Sequence, residues 1–382
     1  MVYKNARPAL RALVVIGSRT HRQGRRVGRG GSSIVHIRLA PGTYRYFTIS
    51  NSGARGPTGR LFVRAPTPSS STSPAPTPPP VTADPSTPFT PPAPGVSGAG
   101  TVAVGAYVSI SGLTSKQAVA RREQQLGRTR AIDQHFYGWT ESFPTGLEVS
   151  DLADGRTPMV AWLGTSLDAI LSGSEDGLIR SRAADVRDLQ AKIFIRWAPE
   201  MNGDWYSWSG PQNQDSPAKY VAAWRHIHDI FDAAGANNAI WVWAPANQSH
   251  PGLLDLTSWN NWRNYYPGNG YVDWVGIDGY NWGPIWGWSE FGEIFSPIYS
   301  DYAATKPIMI AETSSVEDGG SKAAWIGHAT TWIKAHPAIR AVVWFDVDQS
   351  AEGVNWSIDS SAASLAAFKR LAQDPYFSAR TH

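Results

Sequence analysis

The sequence predicts an α/β chain whose larger part folds as a (β/α)8 TIM barrel. Three observations carry that expectation. Eight apolar, β-type runs alternate with helix-period stretches over residues 101–382, the count and size that such a barrel needs. No Gly-rich phosphate turn follows the first run, as a doubly wound nucleotide-binding sheet would require. Two of the runs end in a glutamate, at the strand end where a barrel keeps its chemistry.

Taken in order, the chain opens on a part unlike the rest. Of its 34 Lys and Arg, 13 fall within residues 1–65, where there is no Asp or Glu. That leaves 21 basic residues against 31 acidic ones beyond, so the formal net charge of +3 averages two dissimilar parts. The larger part is acidic and unsuited to binding nucleic acid. Residues 1–30 are basic and aperiodic and read as a disordered tail. Residues 31–65 hold short strand signals (Ile34–Leu39, Tyr44–Ile49, Arg60–Arg64) separated by turn residues, a small β segment of uncertain fold. Residues 66–100 form a linker: 66–94 contain 12 Pro, mostly interspersed with Ser and Thr, a composition that gives an extended tether. Such tethers suit enzymes working on polymers outside the cell, so secretion is expected. The apolar run Leu10–Ile16 is short and broken by Arg11, and makes an awkward signal peptide. No stretch reaches the ~18 apolar residues of a membrane span. The absence of Cys removes disulfides and thiolate metal sites.

From residue 101 the strand candidates are Val102–Val108, Ala131–Phe136, Met159–Leu163, Lys192–Ala198, Ala239–Ala244, Val272–Tyr280, Pro307–Glu312 and Ala341–Asp346. Helical patterns lie between most of them: Ser115–Leu126, Ile179–Gln190, Ala218–Ala234, Trp288–Thr305 and Ser321–His336, with Ser360–Gln373 after the last. All 18 Trp lie in this part, a density that suits surfaces stacking on flat apolar faces.

The fourth run delivers Glu200 into a Gly- and Trp-rich loop. Alternation puts Phe194, Arg196, Ala198 and Glu200 on one parity if the strand stays extended. The seventh run ends at Glu312 with Ile308 and Ile310 on its parity. Breaking a glycosidic bond needs a proton for the departing oxygen and stabilisation of a cationic sugar, and two carboxyl groups supply both. At a spacing of about 5–5.5 Å the reaction retains anomeric configuration, with Glu312 as nucleophile and Glu200 as acid and then base. Proximity of like charges and a partly apolar cleft raise the pKa of the acid.

These residues carry a family resemblance. Glu200-Met-Asn-Gly-Asp-Trp-Tyr-Ser-Trp208 resembles the acid/base motif of glycoside hydrolase family 26, the β-mannanase family of retaining (β/α)8 enzymes. Similarity continues through Trp241-Val-Trp-Ala-Pro-Ala-Asn247, Val272-Asp-Trp-Val-Gly-Ile-Asp-Gly-Tyr280 and Lys306-Pro-Ile-Met-Ile-Ala-Glu312, and covers most of 101–382 but none of 1–100. The resemblance implies Glu200 as acid/base and Glu312 as nucleophile, Trp205 packed at the catalytic subsite, and Asp278 and Tyr280 facing the sugar or the nucleophile. Asn202 lies in the same motif and is counted with the substrate-binding residues. In two places the chain departs from the family pattern. Pro199 stands where the family usually has His, which bears on substrate choice and pH optimum, and Thr313-Ser-Ser follows the nucleophile where an aromatic residue and Gly are common.

Other residues are weighed on the sequence alone. Tyr280 shares a parity with Trp274, Gly276 and Asp278, and is placed either to donate its hydroxyl to Glu312 or as a core aromatic. Trp282, Trp286 and Trp288 lie in a Gly- and Pro-containing loop and suit a sugar-stacking platform. Trp344 shares a parity with Asp346 and is expected to floor the cleft. His135 ends the second run, where it either contacts sugar hydroxyls or is a satisfied structural residue. Arg196 pairs with a barrel carboxylate. His226 and His228, two apart on a helix, do not make a metal site; no metal and no cofactor are expected. The whole predicts a secreted, monomeric, endo-acting retaining β-glycosidase whose partner is a polysaccharide of the mannan type, not nucleic acid and not a membrane. The alternatives are an endo-β-glucanase or β-xylanase on the same barrel, or a non-catalytic polysaccharide-binding protein.

Overall fold

The structure is a computed structural model. It describes residues 101–350 and 353–380, and ahead of them the backbone of six strands between residues 2 and 63. Eight parallel strands form a closed ring: β1 (Ala103–Ser109), β2 (Ile132–Tyr137), β3 (Thr157–Trp162), β4 (Ile193–Trp197), β5 (Ala239–Trp243), β6 (Trp274–Asn281), β7 (Ile308–Ser315) and β8 (Ile339–Gln349). Each strand pairs with the next, and β8 pairs with β1 to close the barrel. A two-residue strand, β9 (Val354–Asn355), folds back on the end of β8. The expected strands are all present, with ends displaced by a few residues.

Helices follow every strand but one. They are α1 (Ser115–Leu126), α2 (Gly146–Ala153), α3 (Asp176–Leu189), α4 (Pro217–Ala233), α5 (Phe291–Tyr302), α6 (Lys322–Lys334) and α7 (Ala362–Gln373). Between β5 and β6 the chain makes short 3-10 turns at Trp262–Tyr265 and Asn269–Tyr271 instead. The helical periodicity of the sequence does not reveal α2, which is only two turns long; a capping box between Thr145 and Glu148 starts it. No helix among the described residues is long and apolar enough to cross a membrane.

Two apolar layers hold the barrel. Outside, side chains of the strands meet the helices; this layer takes Val104, Val160, Trp162, Ile195, Trp197, Ile310 and Trp344. Inside, Ile132, Met159, Phe194, Ile240, Val242, Trp274, Met309 and Val343 fill the lower barrel. Phe194 and Trp274 meet edge to face there, with centroids 5.8 Å apart. Space for two such rings comes from small residues on facing strands. A Cβ on Gly105 would lie 2.7 Å from that of Ile132, and one on Gly276 would lie 2.9 Å from that of Ala244, so both must lack one. Most strands are therefore apolar on both faces in the lower barrel. That is why the sequence pattern cannot say which parity points inward.

Ahead of the barrel, Thr20–Gln23, Arg11–Gly17, Gly42–Ser50 and Arg55–Val63 form a four-stranded antiparallel sheet in that order, and Val2–Lys4 pairs with Ser32–Ile34. Arg11–Gly17 and Thr20–Gln23 fall within the stretch read as disordered. The former contains Ala12-Leu-Val-Val-Ile16, an apolar and partly β-branched run with strand preference of its own. The expected linker, 66–100, lies outside the described residues, as does most of the strand expected at Ile34–Leu39.

Candidate active site

The upper barrel changes character where β4 and β7 end. On β4, Phe194 and then Arg196 point inward. The strand stops at Trp197, and Ala198 and Glu200 take left-handed backbone conformations, with φ of 42° and 55°. The extended alternation expected through Glu200 thus fails after Trp197. Glu200 is instead held by a bond from its amide to the Ala244 carbonyl (2.8 Å) and one from the Gly203 amide to its own carbonyl (2.9 Å). Non-glycine residues seldom adopt such angles, and they concentrate where a side chain must be aimed. The Trp205 indole N–H donates to Glu200 Oε2 at 2.9 Å. Its ring lies across Gly203, where a Cβ would come within 2.6 Å of it.

On β7 the aiming device is a bulge. Ile277 pairs with Ile310, but the next residue, Asp278, pairs with Glu312. On the other flank, Ile310 faces Val342 and Thr313 faces Trp344. β7 therefore carries one more residue than either neighbour, and such an insertion bends the strand and re-aims the side chains beyond it. Ile308 and Ile310 face the helices, Met309 and Ala311 face the barrel interior, and Glu312 also turns inward. Sequence alternation put Glu312 on the parity of Ile310; the bulge separates them.

Glu312 is clasped from three sides. Tyr280 donates its hydroxyl to Oε1. Arg196 donates to Oε2 at 2.8 Å, with the Gln134 amide near the same oxygen at 3.5 Å. The other terminal nitrogen of Arg196 pairs with Asp278. Arg196 and Asp278 are each about 1% exposed. One buried cation thus faces three acids. Burial, and then the charge of Glu312, push the Glu200 carboxyl up to about 7. Burial raises Asp278 as well, opposed by Arg196. Glu200 thereby keeps its proton toward the neutral range, as a general acid requires. Burial and the Glu312 charge also raise the Tyr280 hydroxyl, keeping it a donor.

The remaining expected residues divide. Trp205, 46% exposed, stands over the mouth. Trp282 is partly exposed and packs against Trp356 (4.9 Å), which in turn packs against Tyr280 (4.8 Å). Trp286, 54% exposed, lies in the same loop. Asp278 is in the site but grips Arg196, buried beneath the mouth. Asn202 is fully buried: its amide donates to Ala246 O and Ser249 Oγ, and its oxygen accepts from the Ala246 amide. It fastens two loops together and is not offered to a ligand. Trp344 faces away from the cleft, buried against Trp325 and Phe368 of the helix layer. His135 also points outward, its Nε2 2.7 Å from Asp151 of α2.

Other residues here carry no signal in the sequence. Tyr206 stacks on Trp208 (4.2 Å), and the charges of Glu200 and Glu312 both act on its hydroxyl. Tyr107, Phe136 and Phe345 line the mouth on the side of β1, β2 and β8. Nothing but inward parity marks them, and the pattern leaves that undetermined. Asp133, His135 and Asp151 bring their ligand atoms within 4.8 Å of one another. Arg130 and Arg156 already meet these carboxylates at 3.4 and 3.0 Å, so cationic groups occupy the place of an ion.

The model of "Glycosyl hydrolase family 26" matches residues 169–361. Among curated proteins, the chain is 35% identical over 278 residues to "Endoglucanase H" of Acetivibrio thermocellus, covering 70% of this chain and 30% of that one. It is 29% identical over 164 residues to a "Mannan endo-1,4-beta-mannosidase" of Bacillus subtilis, covering 41% and 39%. The chain thus spans about a third of the length of these relatives. A solved β-mannanase from Bacteroides ovatus shares the fold with a TM-score of 0.55 at 15% identity, covering 72% of this chain and 89% of that one.

Proposed function

Because the chain belongs to glycosyl hydrolase family 26, we propose that it cleaves a β-1,4-linked polysaccharide internally and with retention of configuration. The observation that carries this reading is the pair of unlike carboxyls at one barrel mouth, Glu200 raised to about 7 and Glu312 held between Tyr280 and Arg196. In the first step Glu312 attacks the anomeric carbon as the glycosidic bond breaks, and the Glu200 proton passes to the departing oxygen. In the second, ionised Glu200 takes a proton from water, whose oxygen attacks the same carbon and releases Glu312. Asp278 keeps Arg196 in place and so holds Glu312 at its angle. Trp205 fixes the Glu200 carboxyl and offers its face to a pyranose ring.

Mannan is the first reading of the substrate, supported by the mannanase relatives. A β-glucan is the second, and it has the broader sequence support: the 278-residue match is to a protein named an endoglucanase. Pro199, beside the proposed acid, also departs from the family's usual His. We further propose that the protein acts outside the cell as a monomer, on the strength of the Pro-, Ser- and Thr-rich tether. Reducing-sugar release on mannan, glucomannan, mixed-linkage glucan and xylan tests the substrate, and the anomeric signal of the first product, read by NMR, tests retention. Hydrolysis that survives Glu312→Gln, or a first product of inverted configuration, overturns the mechanism. Activity on glucan alone moves the substrate and keeps the chemistry.

A further inference from the structure

We infer that Tyr107, Phe136 and Phe345 form a second sugar-stacking platform, across the mouth from Trp205, which sets the length of polysaccharide the cleft grips. This rests on the glycosidase reading of the site. The three residues come from strands adjacent in the ring, β1, β2 and β8, and Tyr107 is in direct register with Phe345. In a closed ring of eight, β8, which carries Phe345, lies opposite β4, whose loop carries Trp205. Tyr107 and Phe345 stack at 5.5 Å with 28° between their planes, and Phe136 stands edge-on to Tyr107 at 4.8 Å. All three rings are partly exposed. The Tyr107 hydroxyl, raised by burial, bonds Ser109 and feels the charge of Glu312, so the platform belongs to the same mouth.

Two phenylalanines left partly wet at the mouth of a barrel whose lower half is dry need a partner. Leaving such rings partly exposed forgoes part of the stabilisation that full burial would give them. A β-linked hexopyranose presents flat C–H faces and puts its hydroxyls at the rim, so it can cover these rings without losing its own hydration. In mannose the C2 hydroxyl is axial and stands on one face, so mannose stacks through its other face, whereas glucose stacks through either. Stacked that way, the platform reads chain length and leaves the choice of epimer to the polar groups around Glu200 and Glu312. The competing role is support: Phe345 also touches Tyr280, at 5.9 Å, and could serve only to steady it.

The two roles separate by substrate length. In the full chain, Phe136→Ala and Phe345→Ala are compared with Phe136→Tyr on β-1,4-linked oligosaccharides of two to six units from the polymer that the wild type cleaves. Loss of kcat/KM that grows with length, reaching about tenfold on the longest substrates, with Phe136→Tyr near wild type, supports the platform. An equal loss at every length, or none, overturns it. Calorimetric binding of cello- and mannohexaose to the Glu312→Gln chain, with and without Phe136→Ala, gives a readout that needs no turnover. Wild type that binds these chains through Phe136 but hydrolyses no substrate refutes the glycosidase reading and leaves the platform standing.

Discussion

Two groups of buried charges sit on opposite faces of the same barrel wall, one outside β2 and one inside β4, β6 and β7. Outside, Asp133 and His135 of β2 meet Asp151 of α2, Arg130 and Arg156, with Glu123 of α1 taking a second contact from Arg156 at 3.2 Å. Inside, Arg196 alone answers Asp278 and Glu312, with Glu200 close by. The outer group is covered by helices, and its guanidinium and imidazole groups are matched to its carboxylates. The inner group is short of cations and open to the mouth. Burial lifts one acid in each group to about 7, Asp133 outside and Glu200 inside, where the charge of Glu312 adds to it. The outer proton is sealed beneath helices and serves a fastening; the inner one lies at an open mouth, and a held proton within reach of substrate is what general-acid catalysis needs.

This contrast can be broken from either side. The largest effect belongs to Glu200→Gln, expected to lower kcat on polysaccharide by about 10²–10⁴-fold. Aryl glycosides whose leaving group needs no proton should be spared in their first step, which burst kinetics would reveal; an equal loss on both substrates refutes the acid role. Arg196→Met removes the one inner cation and should cost about 3–5 kcal/mol of stability by leaving acids unpaired, measured by urea unfolding, together with most of the activity. The pH profile sharpens the comparison next. Glu200 is raised to about 7 and must be protonated to act, so kcat/KM should fall as pH rises through about 7, about tenfold per unit beyond it. With the Glu312 charge removed by Glu312→Gln, the Glu200 titration seen by NMR should move down. The smallest effect lies outside. Burial lifts Asp133 from 3.8 to about 7, so the folded state binds a proton that the unfolded chain releases. Stability is then lost as pH rises from about 4 to about 7. Asp133→Asn should flatten that decline in thermal-unfolding scans while leaving kcat within about twofold, in keeping with its place on the outer face of β2, away from the mouth.

How much of this was legible in the sequence differs between scaffold and site. The eight strands were, because parallel barrel strands are short apolar runs separated by helical periods. The glutamates were found because each closes such a run. Their aim was not, since it depends on left-handed turns at Ala198 and Glu200 and on the bulge in β7, neither of which alternation predicts. The same blindness misplaced Trp344 and left His135 between two readings, of which the satisfied structural one holds: with both faces of a strand apolar or sealed, parity does not tell inside from outside. Asn202 illustrates a different limit. Its motif marks it for ligands, but a buried amide with three partners in the protein has nothing left to offer one.

The extra residue in β7 sets the tolerance of this chain to change of different kinds. Replacing Ala311 by another small residue repacks the interior and leaves Glu312 where it is. Removing Ala311 restores continuous pairing and puts Glu312 directly after the outward-facing Ile310, so the carboxylate keeps its inward side opposite Asp278 but loses the bend that aims it. Among natural variants of this barrel, a single gap here therefore acts according to where it falls: at Glu312 it removes the carboxylate, and at Ala311 it keeps the carboxylate on its side of the strand and changes its angle.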